Sequence, residues 1–268
     1  MENSKISWCH HTGNLWWGCV NVNMLCFLCF AEYFAKNRHK HNIWGNDVPR
    51  KEIITVWKAF VKFQRDAFEA NEIRRVFVGS MMDIFEKPMS LINWKNEPLL
   101  NENGEQINTG QLRDRFFNEV VPNSPNLLFL LLTKRPSNIN KYIPESWKTN
   151  PPRNVMFGTS VGYQENAENF ILHLSKVRGN KFLSIEPQLS EIDLMVKLQD
   201  GSGRSLIDVP NWIINGGESG LGRRPFDTDW ARKLRDDCKN KVPFFFKQID
   251  QVLPIPKDLM IREFPIIA

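Results

Sequence analysis

The sequence contains no run of about 18 apolar residues, the length that a membrane-crossing helix needs. We therefore expect no transmembrane segment and no membrane partner. The first residues also lack the apolar centre of a secretory signal peptide, which favours a cytoplasmic, reducing location. Neither positive nor negative charge is in large excess, because the chain has 35 Lys and Arg against 30 Asp and Glu. The net charge of +5 permits an anionic partner without requiring one.

Several catalytic signatures are missing. The chain has no P-loop, no HExxH zinc motif and no GxSxG nucleophile turn, which argues against the usual triphosphatase, zinc protease and serine hydrolase activities. The pair Gly216-Gly217 lies in GGESG rather than GxGxxG, so a dinucleotide-binding fold is not indicated. What remains is ordinary globular composition, with 42% hydrophobic and 24% charged residues.

Short apolar runs alternate with helix-compatible stretches. The runs are continuously apolar, as expected of strands covered on both faces. A weak strand is predicted at 6–8. Six clearer strands are predicted at 75–80, 127–133, 155–161, 181–186, 212–216 and 243–247. Helices are predicted between them, at 52–70, 113–120, 167–177 and 228–239. This alternation predicts an α/β protein with parallel strands and outer helices, as a partial or complete (β/α) barrel; a doubly wound open sheet is the alternative.

We expect one barrel domain over residues 1–250, followed by a C-terminal tail at 251–268. Two segments, near 86–111 and near 189–210, fit neither strand nor helix and are predicted as loop insertions. Loops of this length are uncommon unless they form lids or binding surfaces. The first insertion is accordingly a candidate substrate lid or partner surface.

The chain has five cysteines, and four of them fall within the first 29 residues. An odd, clustered set argues against disulfides and for metal ligation. Cys19, Cys26 and Cys29 follow the spacing C-x6-C-x2-C. Three thiolates and an open position suit a 4Fe–4S cluster in which one iron accepts an exogenous ligand. The neighbouring Phe27 and Phe30 would shield such a cluster from water.

Two other interpretations of the cysteines stay open. Cys9, His10 and His11 are close in sequence, and three cysteines with one histidine are a common structural zinc set. The cysteines could also be buried free thiols. Cys238 lies in a predicted helix far along the chain and is expected to be a packed core thiol.

Nearly every predicted strand ends in a charged or hydroxyl-bearing residue. In a (β/α) barrel the carboxyl ends of the strands form the functional face. Groups converging there could bind a zwitterion and a ribose, because cations hold carboxylates and carboxylates hold ammonium or hydroxyl groups. The residues predicted to bind a cofactor are Ser80, Asp83, Lys134, Ser160, Glu186, Glu218 and Lys247.

Aromatic and basic residues in predicted loops are compatible with nucleic acid. Trp16, Trp17, Trp44 and Trp94 could stack on nucleobases, and the run 36–41 (KNRHKH) could contact phosphates. The alternative for the basic run is a solvated helix end.

Seven motifs follow one another along the chain: C-x6-C-x2-C, VFVGSMMDIF, LLLTKRP, FGTSV, LSIEP, INGGESG and VPFFFKQ. In this order they resemble a phage and bacterial three-cysteine-motif family of unassigned function. That family looks like compact radical S-adenosylmethionine proteins and is more distantly similar to spore photoproduct lyase. The likeness extends from Ser7 to about Gln248.

The resemblance implies a partial (β/α) barrel and a 4Fe–4S cluster held by Cys19, Cys26 and Cys29. S-adenosylmethionine would bind the unique iron through its amino and carboxylate groups. Its reductive cleavage would produce a 5′-deoxyadenosyl radical that acts on a nucleic-acid base or nucleotide, in modification or repair. The expected partners are a flavodoxin- or ferredoxin-type electron donor, a nucleic-acid substrate and, as a further candidate, a protein partner.

Two features depart from the usual radical-enzyme pattern. The first gap between cysteines has six residues instead of three, and Gly-Gly-Glu follows a late strand instead of an early one. Ser80 and Asp83 are therefore better candidates than Glu218 to bind the methionyl amine. The competing functions are a zinc- or cluster-bearing nucleic-acid-binding or partner module that does not cleave S-adenosylmethionine, and an iron–sulfur redox sensor.

Overall fold

A computed structural model describes residues 1–265. Its strands, in chain order, are β1 (His11–Gly13), β2 (Trp16–Trp17), β3 (Arg50–Glu52), β4 (Arg74–Val78), β5 (Leu91–Ile92), β6 (Leu127–Thr133), β7 (Val155–Ser160), β8 (Asn180–Ile185), β9 (Ile213–Gly216) and β10 (Phe244–Gln248). Its α-helices are α1 (Phe30–Tyr33), α2 (Thr55–Glu69), α3 (Thr109–Arg115), α4 (Ile139–Tyr142), α5 (Glu145–Thr149), α6 (Gln164–Ser175) and α7 (Thr228–Cys238).

Seven strands form one parallel sheet, in the spatial order β1-β4-β6-β7-β8-β9-β10. This order is also the chain order, so the winding never reverses. The sheet curls into a half-barrel flanked by helices, which confirms the predicted partial barrel. The doubly wound alternative is wrong, because that fold needs a point at which the strand order reverses.

Alternate side chains of the main sheet enter two separate cores. On β6, Phe129 and Leu131 pack in the larger core with the helices, whereas Leu128 and Leu130 lie in a smaller core on the opposite face. Because both faces are covered, each strand is apolar throughout its length. The smaller core also holds several large aromatic side chains, namely Trp8, Phe77, Phe182, Trp212 and Phe245.

The predicted strands are correct to within about two residues, except at the N-terminus. There the first strand is β1 at His11–Gly13 rather than 6–8, because Trp8 is used instead to fill the smaller core. The predicted helix at 113–120 begins earlier, at Thr109, where the Asn108 side chain caps the first turn. Helices α1, α4 and α5 were not predicted, since four or five residues are too few to show a helical period.

The segment 86–111 contains β5 and a backbone-paired meander, so the prediction that it lacks strands is wrong. Leu91 pairs with Ile107, and Leu99 pairs with both of them. Strand β5 joins β2 and β3 in a second, three-stranded sheet. The segment 189–210 has little regular structure, but it buries Ile192 and Leu194 in the larger core.

Residues after β10 fold back onto the body of the protein. Leu259 is buried in the larger core, and Phe264 packs against Trp212 and Phe245. The longest helix, α2, has 15 residues. Over residues 1–265, no helix has both the length and the apolar composition needed to cross a membrane.

Two buried tryptophans of the smaller core provide a matched test of this packing. The Trp212 indole donates a hydrogen bond to the Glu263 carbonyl at 3.0 Å, whereas the Trp8 indole N–H has no partner among residues 1–265. We expect Trp212→Phe to lower the free energy of unfolding by about 0.5–1.5 kcal/mol more than Trp8→Phe, because only the former loses a hydrogen bond, the one to the Glu263 carbonyl. Urea unfolding followed by circular dichroism measures the difference; equal losses would contradict the packing described.

Candidate functional site

A cavity of about 160 Å³ lies at the carboxyl ends of β4, β6 and β7. The loop that carries the cysteines forms one wall, and all three of Cys19, Cys26 and Cys29 line the cavity. The ends of the strands form the opposite wall. Four residues predicted to bind a cofactor lie there, namely Ser80, Asp83, Lys134 and Ser160. The cavity therefore brings together side chains that are separated by more than a hundred residues in sequence.

The three other predicted cofactor residues do not line this cavity. Glu186 and Lys247 pair with each other at 3.0 Å, at the ends of β8 and β10. Glu218 accepts hydrogen bonds from the Arg224 guanidinium at 2.6 and 2.9 Å. Arg224 in turn donates to the Met24 carbonyl at 3.1 Å, so this ion pair supports the cysteine loop.

Local geometry positions the thiols. The loop begins at Gly18, whose φ of +118° favours glycine. Cys29 occupies the N-cap of α1, where its sulfur accepts the Glu32 N–H at 3.5 Å. Burial raises the pKa of the Cys19 thiol to about 12 and also raises that of Cys29. Both thiols are therefore protonated at neutral pH unless a metal displaces the proton.

The cysteine donor set is not arranged as a site for a single metal ion. Over residues 1–265, no three His, Cys, Asp or Glu side chains are grouped closely enough to hold one metal ion. A single zinc, with Zn–S bonds of about 2.3 Å, needs its thiolates within roughly 4 Å of one another. A 4Fe–4S cluster instead takes each thiolate to a different iron. Cys19, Cys26 and Cys29 are free thiols that line one cavity, so the three residues that would hold such a cluster lie around the same space.

The zinc set suggested by sequence proximity does not assemble. Cys9 lies in the smaller core, where its thiol approaches the Ile6 carbonyl at 3.7 Å. His10 accepts the Arg75 N–H, and His11 stacks on Phe63. None of these three side chains lines the cavity. Cys238 is buried in the larger core, as predicted.

Asp83 is fully occupied by protein donors. One carboxylate oxygen accepts from the Phe85 N–H at 3.0 Å and the Thr133 hydroxyl at 2.7 Å. The other accepts from the Lys134 N–H at 3.1 Å and the Arg135 guanidinium at 2.7 Å. With about four lone-pair sites filled, this carboxylate has little capacity left for a ligand. Its position indicates an anchor for the strand ends rather than a binder of an amine.

Sequence reasoning missed a buried ionic network beneath the cysteine loop. Glu86 accepts two hydrogen bonds from Arg50, both at 2.8 Å, and this pair is almost completely buried. Arg135 lies 3.8 Å from the same carboxylate. It also donates to the Val20 carbonyl at 2.8 Å and contacts the Cys19 sulfur at 3.8 Å. Only Arg135 had a sequence signal, since it follows a strand in the motif TKRP.

The aromatic residues of the cysteine loop are not where sequence reasoning placed them. Phe27 and Phe30 are 79% and 66% exposed, so their predicted role in shielding a cluster is wrong. Trp16 is fully buried and is unable to stack on a nucleobase. Trp17 is half-buried against Phe34, whereas Trp94 remains exposed.

The Gly216-Gly217 pair is explained by close packing. A Cβ at Gly217 would lie 2.1 Å from the Ile249 carbonyl oxygen, and one at Gly216 would lie 3.0 Å from the Gln248 carbonyl oxygen. Neither glycine has a positive φ. The pair therefore lets β9 run close beside the end of β10.

The fold and the cavity define an α/β half-barrel with cysteines at the carboxyl face of its sheet. The chain belongs to an uncharacterised family, described as Protein of unknown function (DUF5131), whose profile matches residues 3–97 and 104–258. No curated protein and no solved structure matches the chain. The family match covers nearly the whole chain, but it assigns no activity to it.

Removing the central carboxylate tests the buried network. We expect Glu86→Gln to lower the free energy of unfolding by about 3–5 kcal/mol, because it leaves the Arg50 charge buried without a partner. The matched control is Glu119→Gln, which breaks an exposed pair with Arg115 and should cost about 0–1 kcal/mol. Urea unfolding of both variants measures the difference. Similar, small losses in the two would show that the network is not essential to the fold.

Proposed function

We propose that the chain is a cytoplasmic radical S-adenosylmethionine enzyme whose 4Fe–4S cluster is held by Cys19, Cys26 and Cys29. One observation carries the proposal: three free thiols with C-x6-C-x2-C spacing line one cavity with the strand-end residues of a parallel half-barrel. In such folds the carboxyl ends of the strands are where ligands bind. The ordered motifs resemble a three-cysteine-motif family that looks like compact radical S-adenosylmethionine proteins, and this resemblance supports the same assignment.

The chemistry supplied by a bound, reduced cluster is transfer of one electron to S-adenosylmethionine, which cleaves into methionine and a 5′-deoxyadenosyl radical. The protein's own residues bind and orient. Lys134 lines the cavity and has no ion-pair partner within residues 1–265, so its ammonium is available for the methionyl carboxylate. Ser80 and Ser160 present hydroxyl groups to the same cavity.

Asp83 and Arg135 have a positioning role in this proposal. Through Arg135 the carboxylate joins the end of β6 to the Val20 carbonyl and the Cys19 sulfur. The Arg135 cation only partly offsets the burial that raises the pKa of Cys19, so its role here is to hold the loop in place. Glu218 acts similarly from the other side, since its partner Arg224 holds the loop at Met24.

The proposed substrate is a nucleic-acid base or nucleotide, in modification or repair. Support comes from the net charge of +5, from the likeness to spore photoproduct lyase and from exposed aromatic residues beside the cavity. A flavodoxin- or ferredoxin-type protein is the proposed electron donor.

The first test is an ultraviolet–visible spectrum of anaerobically purified protein, with iron, sulfide and zinc counted on the same sample. We expect a broad band near roughly 400 nm and about four irons per chain. Cys19→Ala, Cys26→Ala and Cys29→Ala should each lose the band, because each removes a ligand. Cys9→Ala and Cys238→Ala are matched controls that should keep it. A colourless protein with one zinc per chain would indicate a binding module instead of a radical enzyme. A cluster that also required Cys9 would have a fourth protein ligand and no open iron, which would contradict the proposal.

Cleavage of S-adenosylmethionine is the second test. With dithionite as reductant we expect release of 5′-deoxyadenosine and methionine in equal amounts. Lys134→Ala should raise the KM for S-adenosylmethionine at least tenfold with little change in cluster content, because it removes a charged partner of the carboxylate worth about 1.5–3 kcal/mol. Lys176→Ala, an exposed lysine at the end of α6, is the control. A full cluster without 5′-deoxyadenosine would indicate a redox sensor instead.

A further inference from the structure

The chain that lines the cysteine cavity also carries a set of exposed apolar side chains. This surface consists of side chains from the cysteine loop and α1, namely Val22, Met24, Phe27, Phe30 and Tyr33. The same loop carries the Cys26 and Cys29 thiols, so this surface and the cavity share one short piece of chain. Large apolar side chains that remain exposed together next to a site indicate a binding surface.

Positive charge continues this surface along the chain. Helix α1 runs into a π-helical turn, Phe34–Arg38, and the next two residues, His39 and Lys40, are exposed. Lys36, Arg38 and Lys40 are exposed, and within the described residues none of them forms an ion pair. Glu32 is the one acidic residue in the whole stretch 20–41, and it is hydrogen-bonded to Asn21. The stretch is therefore electropositive as well as aromatic.

Aromatic contacts hold Phe30, one ring of this surface, in place. Phe30 stacks on Phe34 with ring centres 5.7 Å apart, and Phe34 packs on His39 at 4.7 Å. Trp17 contacts both Phe34 and Trp94. A series of rings in contact thus extends from the cysteine loop to the exposed Trp94. Rings fixed in this way lose little conformational freedom when a ligand stacks on them.

A buried cation lies at the far end of this series of rings. Lys51 is 1% exposed and has no carboxylate partner within the described residues. Its ammonium lies 3.2 Å from His41 Nδ1 and 5.3 Å from the centre of the Trp94 ring. The same ammonium lies 3.5 Å from the Trp94 carbonyl oxygen, so this cation supports Trp94 from inside the protein.

We infer that a single strand of nucleic acid binds along the aromatic–basic strip, defined as Phe27, Phe30, Tyr33, Lys36, Arg38 and Lys40. Bases stack on the aromatic rings, and phosphates lie against the three cations. Open ring faces select unpaired bases, because bases in a duplex are already stacked on one another. Delivery of a base into the cysteine cavity rests on the proposed function, whereas binding to the strip does not.

Binding is tested with the full chain and a fluorescently labelled oligonucleotide of mixed sequence, as single strand and as duplex. Anisotropy titrations at several salt concentrations give the affinity and its salt dependence. We expect the single strand to bind at least tenfold more tightly than the duplex. The affinity should fall steeply with salt, by a logarithmic slope of about 0.7 for each phosphate contacted.

Charge variants locate the cations. The triple variant Lys36→Gln, Arg38→Gln, Lys40→Gln should lose at least tenfold in affinity and reduce the salt slope by about 2, as three lost phosphate contacts require. The matched control removes three exposed lysines elsewhere, Lys58→Gln, Lys239→Gln and Lys257→Gln, and changes the net charge equally. It should retain the wild-type slope.

Aromatic variants locate the bases. Phe27→Ala and Phe30→Ala should each weaken single-strand binding roughly fivefold or more, as the loss of a stacked base requires. Phe68→Ala is the control, because Phe68 is equally exposed on α2. These side chains are exposed, so folding is not at risk.

Equal affinities of the two triple variants, or no single-strand binding at low salt, would overturn the inference. If the same preparation still released 5′-deoxyadenosine, the proposed enzymatic function would stand, and only the inference that the strip binds nucleic acid would be withdrawn. If the protein were colourless but still bound single strands through the strip, the inference about the strip would stand and the radical-enzyme proposal would be refuted. If the strip variants lost only the binding of a reduced, acidic flavodoxin, the strip would be an electron-donor site and the inference would be wrong.

Discussion

The Glu86 carboxylate is the point on which the arrangement of the site depends. It lies between two guanidinium groups in a region almost without solvent, and it is 1% exposed. Arg50, which chelates it, also holds the carbonyls of Ile43, Gly45 and Val48. A buried charge persists only when it is paired and hydrogen-bonded. The network therefore forces the segment before β3, the start of the 86–111 insertion and the end of β6 to meet at one place.

Arg135 transmits this constraint to the cavity. It connects Asp83 at the end of the sheet with the backbone of the cysteine loop and approaches the Cys19 sulfur. Because Asp83 is committed to four donors, it holds the wall of the cavity and leaves binding to other groups. Lys134, Ser80 and Ser160 are the side chains on that wall that remain for a ligand. In the proposed enzyme, structural and binding roles are divided between Arg135 and Lys134, neighbours in the motif TKRP.

The half-barrel restricts where this chemistry can occur. Aromatic side chains fill the face of the sheet opposite the helices, with Trp8 and Trp212 among the largest fully buried residues. At the carboxyl end the strands instead finish in glycine and hydroxyl-bearing residues, which leaves room for the cavity. The cysteine loop covers this opening and leaves Phe27, Phe30 and Tyr33 in solvent. The cavity therefore lies beneath a loop whose aromatic side chains point away from it into solvent.

The sequence by itself determined the elements of the fold and the composition of the site. Apolar runs and helical periods depend on neighbouring residues, so they located six of the seven main-sheet strands, the longer helices and the cysteine loop. Only the tertiary structure decided which polar residues meet. Arg50 and Glu86 are 36 residues apart, and Cys19 and Arg135 are 116 apart, so no local pattern links them. For the same reason Asp83, Glu186, Glu218 and Lys247 could be recognised as strand-end charges, whereas their partners follow from how the chain winds around the half-barrel.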